Sequence, residues 1–349
     1  MRSRRTATTV TALTALAVGA ASVLMSPAAS AATGAATCTP TTLPLPAGTD
    51  SGNVDAADSQ GGYAGEASSG SSADGTRENR VVRWKDGRAI DYGRLLEPSA
   101  SITVNGVNRD GTVVGYSVGA ENIGRAFRSR DGKLERLPLP AGARSSFATG
   151  INDTGDIVGW TRTAEEDSPH TAVLWPADAP GTAVKLSGGL PTAGHTEAAG
   201  IDQDGTVLVN HYPEGAPVSS TAVYLWRSGS ARKLAVPPGT AKAHGGAISN
   251  GRVAGMAGGT SGAVWDKDGS MMVVPNSGSL HSINSTGQSV GYEPWNWGAV
   301  LYGVWRMDTQ IATLGNRVGV YVSADNGSVA GYIQNTTTGK LSPTTWRCG

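Results

Sequence analysis

The chain has 349 residues, with 49 glycines, 18 prolines and 28 basic against 28 acidic residues. An even charge balance argues against a nucleic-acid partner, which calls for a basic excess. No stretch past the N-terminus approaches the ~20 apolar residues of a membrane span, and no window carries the 3.6-residue apolar period of an amphipathic helix, so the composition points to an all-β protein.

Residues 1–31 read as a secretory signal: Arg2, Arg4 and Arg5 form the basic start, 11–25 the apolar core, and Ala29-Ser30-Ala31 a small-residue cleavage site. Ser3-Arg4-Arg5 is a partial twin-arginine pattern without its following Phe or Leu and Lys, so the general export route is expected. Losing three arginines leaves 25 basic against 28 acidic residues in 32–349. The expected location is extracellular, with no membrane span.

From there the chain repeats itself. Ile151-Asn152-Asp153-Thr154-Gly155-Asp156-Ile157-Val158-Gly159-Trp160 has close copies at 107–116 and 283–292. Asn or Asp opens a type I turn, and the Gly takes the left-handed position that follows it, which predicts strand–turn–strand. Asn250-Gly251 and Asn326-Gly327 read as shorter, two-residue type I′ turns. The turn-closing glycines are Gly61, Gly111, Gly155, Gly205, Gly251, Gly287 and Gly327. A second Gly follows four residues later in six copies, and Val209 replaces it in the fourth. Each unit then runs into an apolar stretch ending in an aromatic: Trp84, Phe127, Trp175, Trp226, Trp265, Trp305 or Trp346. Four strands in about 45 residues is the period of a β-propeller blade. Blade repeats begin near 54, 102, 146, 196, 244, 280 and 318, giving one seven-bladed domain over 32–349.

The ends of that domain complete each other. Leu43-Pro44-Leu45-Pro46-Ala47-Gly48 is identical to Leu137-Pro138-Leu139-Pro140-Ala141-Gly142, which leaves the last strand of the second unit. The seventh unit stops at Trp346-Arg347-Cys348-Gly349 without a last strand, so a strand at 41–46 is expected to supply it and remove the open edge. Aligning Trp346 with Phe127 sets Cys348 level with Ser129. Aligning Leu43 with Leu137 sets Cys38 level with Gly132. Ser129 and Gly132 flank a tight turn, so Cys38 and Cys348 should meet where that turn is missing and oxidise in an exported protein.

The repeat resembles the HAF repeat of bacterial extracellular proteins, best at 148–159 followed by His170-Thr171-Ala172-Val173-Leu174-Trp175. The resemblance covers 54–346. It departs where the Phe of the name motif is mostly Val and where the His occurs only at His170. It implies an extracellular propeller-like repeat and brings no activity or catalytic residues with it.

Functional residues are expected on the face carrying the long second-to-third and fourth-to-first connections, 66–79, 161–170, 187–197, 210–220 and 293–298, because variable loops on a rigid scaffold host binding. Tyr292, Glu293, Trp295, Asn296 and Trp297 form the leading candidate, since exposed rings offer flat faces to sugar C–H edges beside polar partners. His211 and Tyr212 form a second polar-aromatic loop. His195, His244 and His281 precede the first strands of consecutive units, but their offsets differ and no carboxylate sits at ligand spacing, so they read as loop histidines rather than a metal site. Asp202-Gln203-Asp204-Gly205 lacks the distal ligands of a calcium loop. Asp55 and Asp58 precede a turn, with Asp58 in the Asn108 place, and 165–167 is an acidic loop tip. No nucleophile elbow, zinc-protease helix or P-loop is present, and no cofactor is expected. The sequence reads as a monomeric binding propeller for a glycan or polysaccharide. The alternatives are an extracellular protein partner, or a hydrolase or lyase with its site at the channel mouth. Three ionisable side chains in hydrogen-bond reach at that mouth would favour the enzyme, an exposed aromatic platform the lectin, and a flat loop face the protein partner.

Overall fold

In the computed structural model, the repeated turns show why Asn heads them. Asn152 N–H donates to the Asp156 carbonyl, Gly155 N–H returns to the Asn152 carbonyl at 3.0 Å, and Gly155 takes φ 90°. The Asn152 side-chain oxygen accepts from Asp156 N–H at 2.9 Å. Asn108 and Asn284 do the same, and their amides reach on to the carbonyls of Asn152 and Ala324 in the next repeat. The turn residue is thus also an inter-blade staple. Asn250 and Gly251, with φ of 50° and 77°, form the expected two-residue turn. The Asn326-Gly327 reading needs correction: only Gly327 is left-handed, and its N–H bonds to Ala324 O, so 324–327 is the same four-residue turn as 108–111. Asn326 instead accepts from Ser328 and donates to Tyr63.

The structure describes residues 37–349 except 71–75, 96–100, 164–167, 216–220, 241 and 295–299. The proposed signal, the acidic tip and Trp295, Asn296 and Trp297 lie outside the described residues. The rest forms a seven-bladed β-propeller of four-stranded antiparallel blades. The first strands of the blades are Ser51–Ala57, Ser101–Val107, Ser145–Ile151, His195–Ile201, Ala243–Ser249, Ser279–Ile283 and Val318–Ser323. The seventh sheet is finished by the N-terminal strand Cys38–Thr42 pairing with Leu341–Cys348, Cys38 opposite Cys348, and the two cysteines are disulfide-bonded. This strand starts and ends earlier than 41–46. Pro44 and Pro46 have no N–H to give a ladder, and pairing stops after Leu43 N–H reaches Pro343 O.

What the prolines do instead explains the repeated hexapeptide. Trp84 donates its indole N–H to Pro44 O, and Trp175 donates to Pro138 O, both at 2.7 Å. Trp226, Trp265 and Trp305 reach Ser187, Ala235 and Pro275 in the same way. Each ring fills the space between blades and satisfies its N–H on the preceding blade. Trp84, Trp175, Trp265, Trp305 and Trp346 are buried, whereas Trp226 is half-exposed beside a two-residue outer strand, Val184–Lys185.

Every first strand carries a β-bulge at one level, with the extra residue at Asp55, Asn105, Thr149, Ala199, Gly246, His281 and Tyr321. At this level the second strand comes very close to the first in six blades. A Cβ at Gly65, Gly115, Gly159, Gly255, Gly291 or Gly331 would stand 1.8–2.1 Å from a first-strand carbonyl oxygen. This is the reason for the second repeated glycine.

Two stability results are expected. Replacing Cys38 and Cys348 by Ser should lower the unfolding free energy in urea by roughly 5 kcal/mol, since the bond closes a very long loop, and reduced native protein should match the variant. Gly159→Ala should cost about 1–3 kcal/mol of strain, read as a lower midpoint.

Candidate functional site

The bulge residues line the axial channel. A cavity of about 500 Å³ is walled by Asp55, Asn105, Thr149, Ala199, Gly246, His281 and Tyr321 together with their strand neighbours. Three of them tie the ring: Asn105 donates to Ala148 O, Thr149 to Ala198 O and the His281 imidazole to Val320 O, each acceptor being the residue before the next bulge. At the fourth blade Ala199 has no donor, and Asn210 from the adjacent strand takes over, exchanging two bonds with Gly245 at 2.8 and 2.9 Å. Gly246 leaves room for Leu280 O, which a Cβ would approach to 2.5 Å. The described wall includes Asp55, Asp58, Asp153, Glu197 and Asp325 and no Lys or Arg, so the channel is electronegative. Asp58 and Asp202 serve turns. Asp58 accepts from Gln60 and Gly62 N–H, and Asp202 from the N–H groups of Gln203, Asn250 and Gly251.

Two groups of titratable side chains sit at the channel. In blade 1, Asn53 donates to both oxygens of Asp55 at 2.6 and 2.7 Å. Burial pushes the Asp55 carboxyl up to about 7, against the pull of the Asn53 amide. Burial and then the neighbouring Asp55 charge push Glu66 up to about 8, against the Arg77 charge and the hydrogen bond with the Val104 backbone. Across the ring, the Glu197 carboxylate accepts from the His170 imidazole at 2.5 Å and from the Tyr212 hydroxyl. The backbone N–H of His170 donates to His195 Nδ1 at 3.2 Å. Trp160 is sandwiched between Phe147 at 3.9 Å and His170 at 4.1 Å. His170, Glu197 and Tyr212 are thus three ionisable side chains in hydrogen-bond reach at the mouth. No spacing in the sequence signals this group; only Glu66, in the other group, stands out, as the one carboxylate among the residues that follow the second-glycine position.

The histidines do not converge. His195 packs on His170, while His244 lies beside Asn210 and His281 on Val320. Burial lowers the pKa of both His244 and His281. Among the described residues no group of three or more His, Cys, Asp or Glu is arranged to hold a metal. His211 is buried with its Nε2–H on Ala193 O, and half-exposed Tyr212 turns to Glu197.

Tyr292 and Glu293 wall a cavity of about 1040 Å³ on the long-connection face, with Met256, Tyr302, Arg317 and Tyr332. Rings run from it to the channel: Tyr292 lies 5.1 Å from Tyr302, Tyr302 6.2 Å from Tyr321, and Tyr321 5.9 Å from Tyr332. Burial pushes the Tyr302 and Tyr321 hydroxyls up, so they stay protonated donors. Tyr292 is 39% exposed. Glu293 is anchored, its Oε1 accepting from Gln310 at 2.6 Å and Thr313 at 2.5 Å.

No protein-family model matches the chain, and no curated protein matches it. Solved structures do. The chain is similar to the acylaminoacyl peptidase of Pyrococcus horikoshii, with TM-score 0.55 and 12% identity over 85% of this chain and 52% of that one. It is similar to the β-propeller domain of the Trilobed protease of Pyrococcus furiosus, with TM-score 0.55 and 12% identity over 85% of this chain and 94% of that one. A puromycin-hydrolyzing peptidase of Mycobacterium tuberculosis gives TM-score 0.53 and 11% identity over 85% and 53%. The chain spans about half the length of these two peptidases. At such identity the likeness establishes the propeller fold alone. The Trilobed protease domain is described as having an open velcro, whereas here Cys38–Thr42 closes the seventh blade.

The blade 1 carboxyls give a pH signature. Both have folded values above the unfolded carboxyl range near ~4, so folding takes up protons. Their stabilising contribution is full below that range and is lost as pH rises through 7 to 8. Glu66→Gln should therefore change the thermal midpoint little near pH 4 and raise it relative to the native protein at pH 8.

Proposed function

We propose that this is an exported propeller of the HAF-repeat type whose long-connection face binds carbohydrate. The observation that carries the reading is the tyrosine-walled cavity on that face. Tyr292 and Tyr332 offer ring faces to sugar C–H groups, while Glu293, held by Gln310 and Thr313, presents a fixed acceptor to hydroxyls. The disulfide is consistent with an oxidising compartment, and among the described residues no helix is long and apolar enough to cross a membrane. In a screen against soluble glycans and insoluble polysaccharides, the native protein should bind at least one class. Tyr292→Ala and Tyr332→Ala, each shown folded by its thermal transition, should weaken that binding at least tenfold. Failure of the native protein to bind any glycan, or full binding by both variants, would remove the cavity from the account.

A second reading, a hydrolase or lyase at the channel mouth, is favoured by the His170–Glu197–Tyr212 group. A carboxylate bonded to an imidazole and a phenol can hold and pass a proton. The distinguishing measurement is new reducing ends or unsaturated sugar products in the presence of glycan. Under this reading they form with the native protein and disappear in Glu197→Gln while binding persists. Binding without products supports the module reading.

A further inference from the structure

The geometry points to an anionic sugar, one bearing a carboxylate or sulfate, as the ligand of the tyrosine-walled cavity, with the Arg317 guanidinium as its charge partner. The inference rests on the carbohydrate reading of this cavity and specifies what that reading leaves open.

Arg317 lies in the connection between Thr309–Leu314 and Val318–Ser323, and it lines the cavity. It is exposed, and among the described residues no carboxylate, carbonyl or hydroxyl pairs with its guanidinium. That sets it apart from arginines such as Arg80, Arg128, Arg144, Arg227 and Arg252, which are matched to carboxylates. A guanidinium is a rigid fork built for the two oxygens of a carboxylate or the face of a sulfate.

The backbone adds an independent observation. Arg317 has φ 68°, a left-handed conformation uncommon for any residue but Gly, Asn or Asp. Asp86, Asp131, Ser228, Asn250 and Met307, also left-handed, sit in two-residue hairpin turns, Glu121 and Asn122 in a short 3-10 turn, and Asn276 in an inter-blade connection where Asn tolerates this backbone. Arg317 lies in such a connection without being Asn, Asp or Gly. It follows Gly315-Asn316 in an inter-blade connection where a glycine would adopt the same backbone without cost. Strain of this kind persists where a particular side chain is worth keeping, and here that side chain is the unpaired cation at the cavity.

The charges also divide by place. The channel cavity gathers carboxylates and has no Lys or Arg among its described lining, so it repels an anion. The described lining of the tyrosine cavity has one carboxylate, Glu293, whose Oε1 is already bound by Gln310 and Thr313 on the blade 6 side. A sugar lying on Tyr292 and Tyr332 would meet Glu293 with a hydroxyl and Arg317 with its anionic group.

The test compares uronate oligosaccharides with their methyl esters, which keep the sugar and remove the charge, and with sulfated oligosaccharides of the same length. Binding is measured for the native protein, Arg317→Gly and Arg317→Lys. Tight binding of an anionic member is expected, weakened at least tenfold by esterification and by added salt. Arg317→Gly should lose the same factor for the anion and nothing for the ester. Its thermal midpoint should be unchanged or higher, because glycine relieves the φ strain, so loss of binding is not loss of fold. Arg317→Lys should recover part of the affinity. The uronate and sulfate arms show which anion is taken. Equal binding of acid and ester, or an anion preference that survives Arg317→Gly, overturns the inference while leaving the carbohydrate reading standing. No binding of any charged or neutral glycan overturns both.

Discussion

The ring depends on one pairing, Cys38–Thr42 against the C-terminal strand Leu341–Cys348. A sheet edge is a row of unsatisfied donors and acceptors that invites other chains. Six blades are contiguous in sequence and cover one another. The seventh can be completed only by the opposite end of the chain, and a strand recruited from ~300 residues away carries a loop-closure cost that a local hairpin does not. The disulfide removes that cost from the folding balance by keeping the ends together in the unfolded chain. The seam is also tied outside the strand: Lys340 pairs with Asp50, Leu341 N–H donates to Ser51, and the Tyr63 hydroxyl meets Ser328 between blades 7 and 1. The Trp84–Pro44 bond then couples the closing segment to blade 1.

Closure fixes the radius at which the first strands meet, and the bulges adapt those strands to it. Inserting one residue per strand turns Asp55, Asn105, Thr149, His281 and Tyr321 toward the axis while the flanking residues keep their core contacts. In six blades the second strand also lies so close to the first that only glycine fits. Blade 4 departs in a consistent way. Val209 stands where glycine is elsewhere, the bulge residue is Ala199, and Asn210 supplies from the second strand the inter-blade bonds that a bulge side chain supplies in blades 2, 3 and 6. The polar groups of the mouth gather around this departure, with Glu197 and Asn210 on blade 4 and His244 on blade 5.

Much of this architecture was legible because it rests on backbone chemistry that repeats. An Asn or Asp head with Gly three residues on declares five of the seven turns, and the duplicated Leu-Pro-Leu-Pro-Ala-Gly points to the pairing of both chain ends and to the disulfide through the Ser129 and Gly132 register. The closing strand starts three residues before 41–46, because the hexapeptide's prolines make it not the strand but the exit that receives a tryptophan N–H. Asn326-Gly327 misled because the dipeptide alone does not fix the loop length; Ala324 hides the turn's true head. The bulges were invisible because a one-residue insertion leaves the apolar alternation looking continuous. The site was less legible still. His170 and Glu197 stand 27 residues apart on different blades, and spacing reports which residues share a level but not which side chains swing together. Arg317 carries no motif, and its significance lies in a φ angle and a missing partner.

The tyrosine chain joins the two cavities into one system. Tyr321 belongs to the bulge ring and lines the channel, Tyr292 and Tyr332 line the outer cavity, and Tyr302 is buried between them. Because burial keeps the Tyr302 and Tyr321 hydroxyls protonated, the wall between the cavities is neutral. On its channel side the described lining has carboxylates without cations, and on its outer side the cavity is lined by Arg317, unpaired among the described residues, and by the anchored Glu293. A neutral, close-packed wall screens poorly, so the acidic channel lowers the potential felt by an anion in the outer cavity unless Arg317 offsets it. The two regions are therefore not equivalent docking places. A polymer lying over the long-connection face would find its charged groups favoured near blades 6 and 7 and its neutral hydroxyls favoured over the channel, and this sets a direction across the ring that seven similar blades do not by themselves provide.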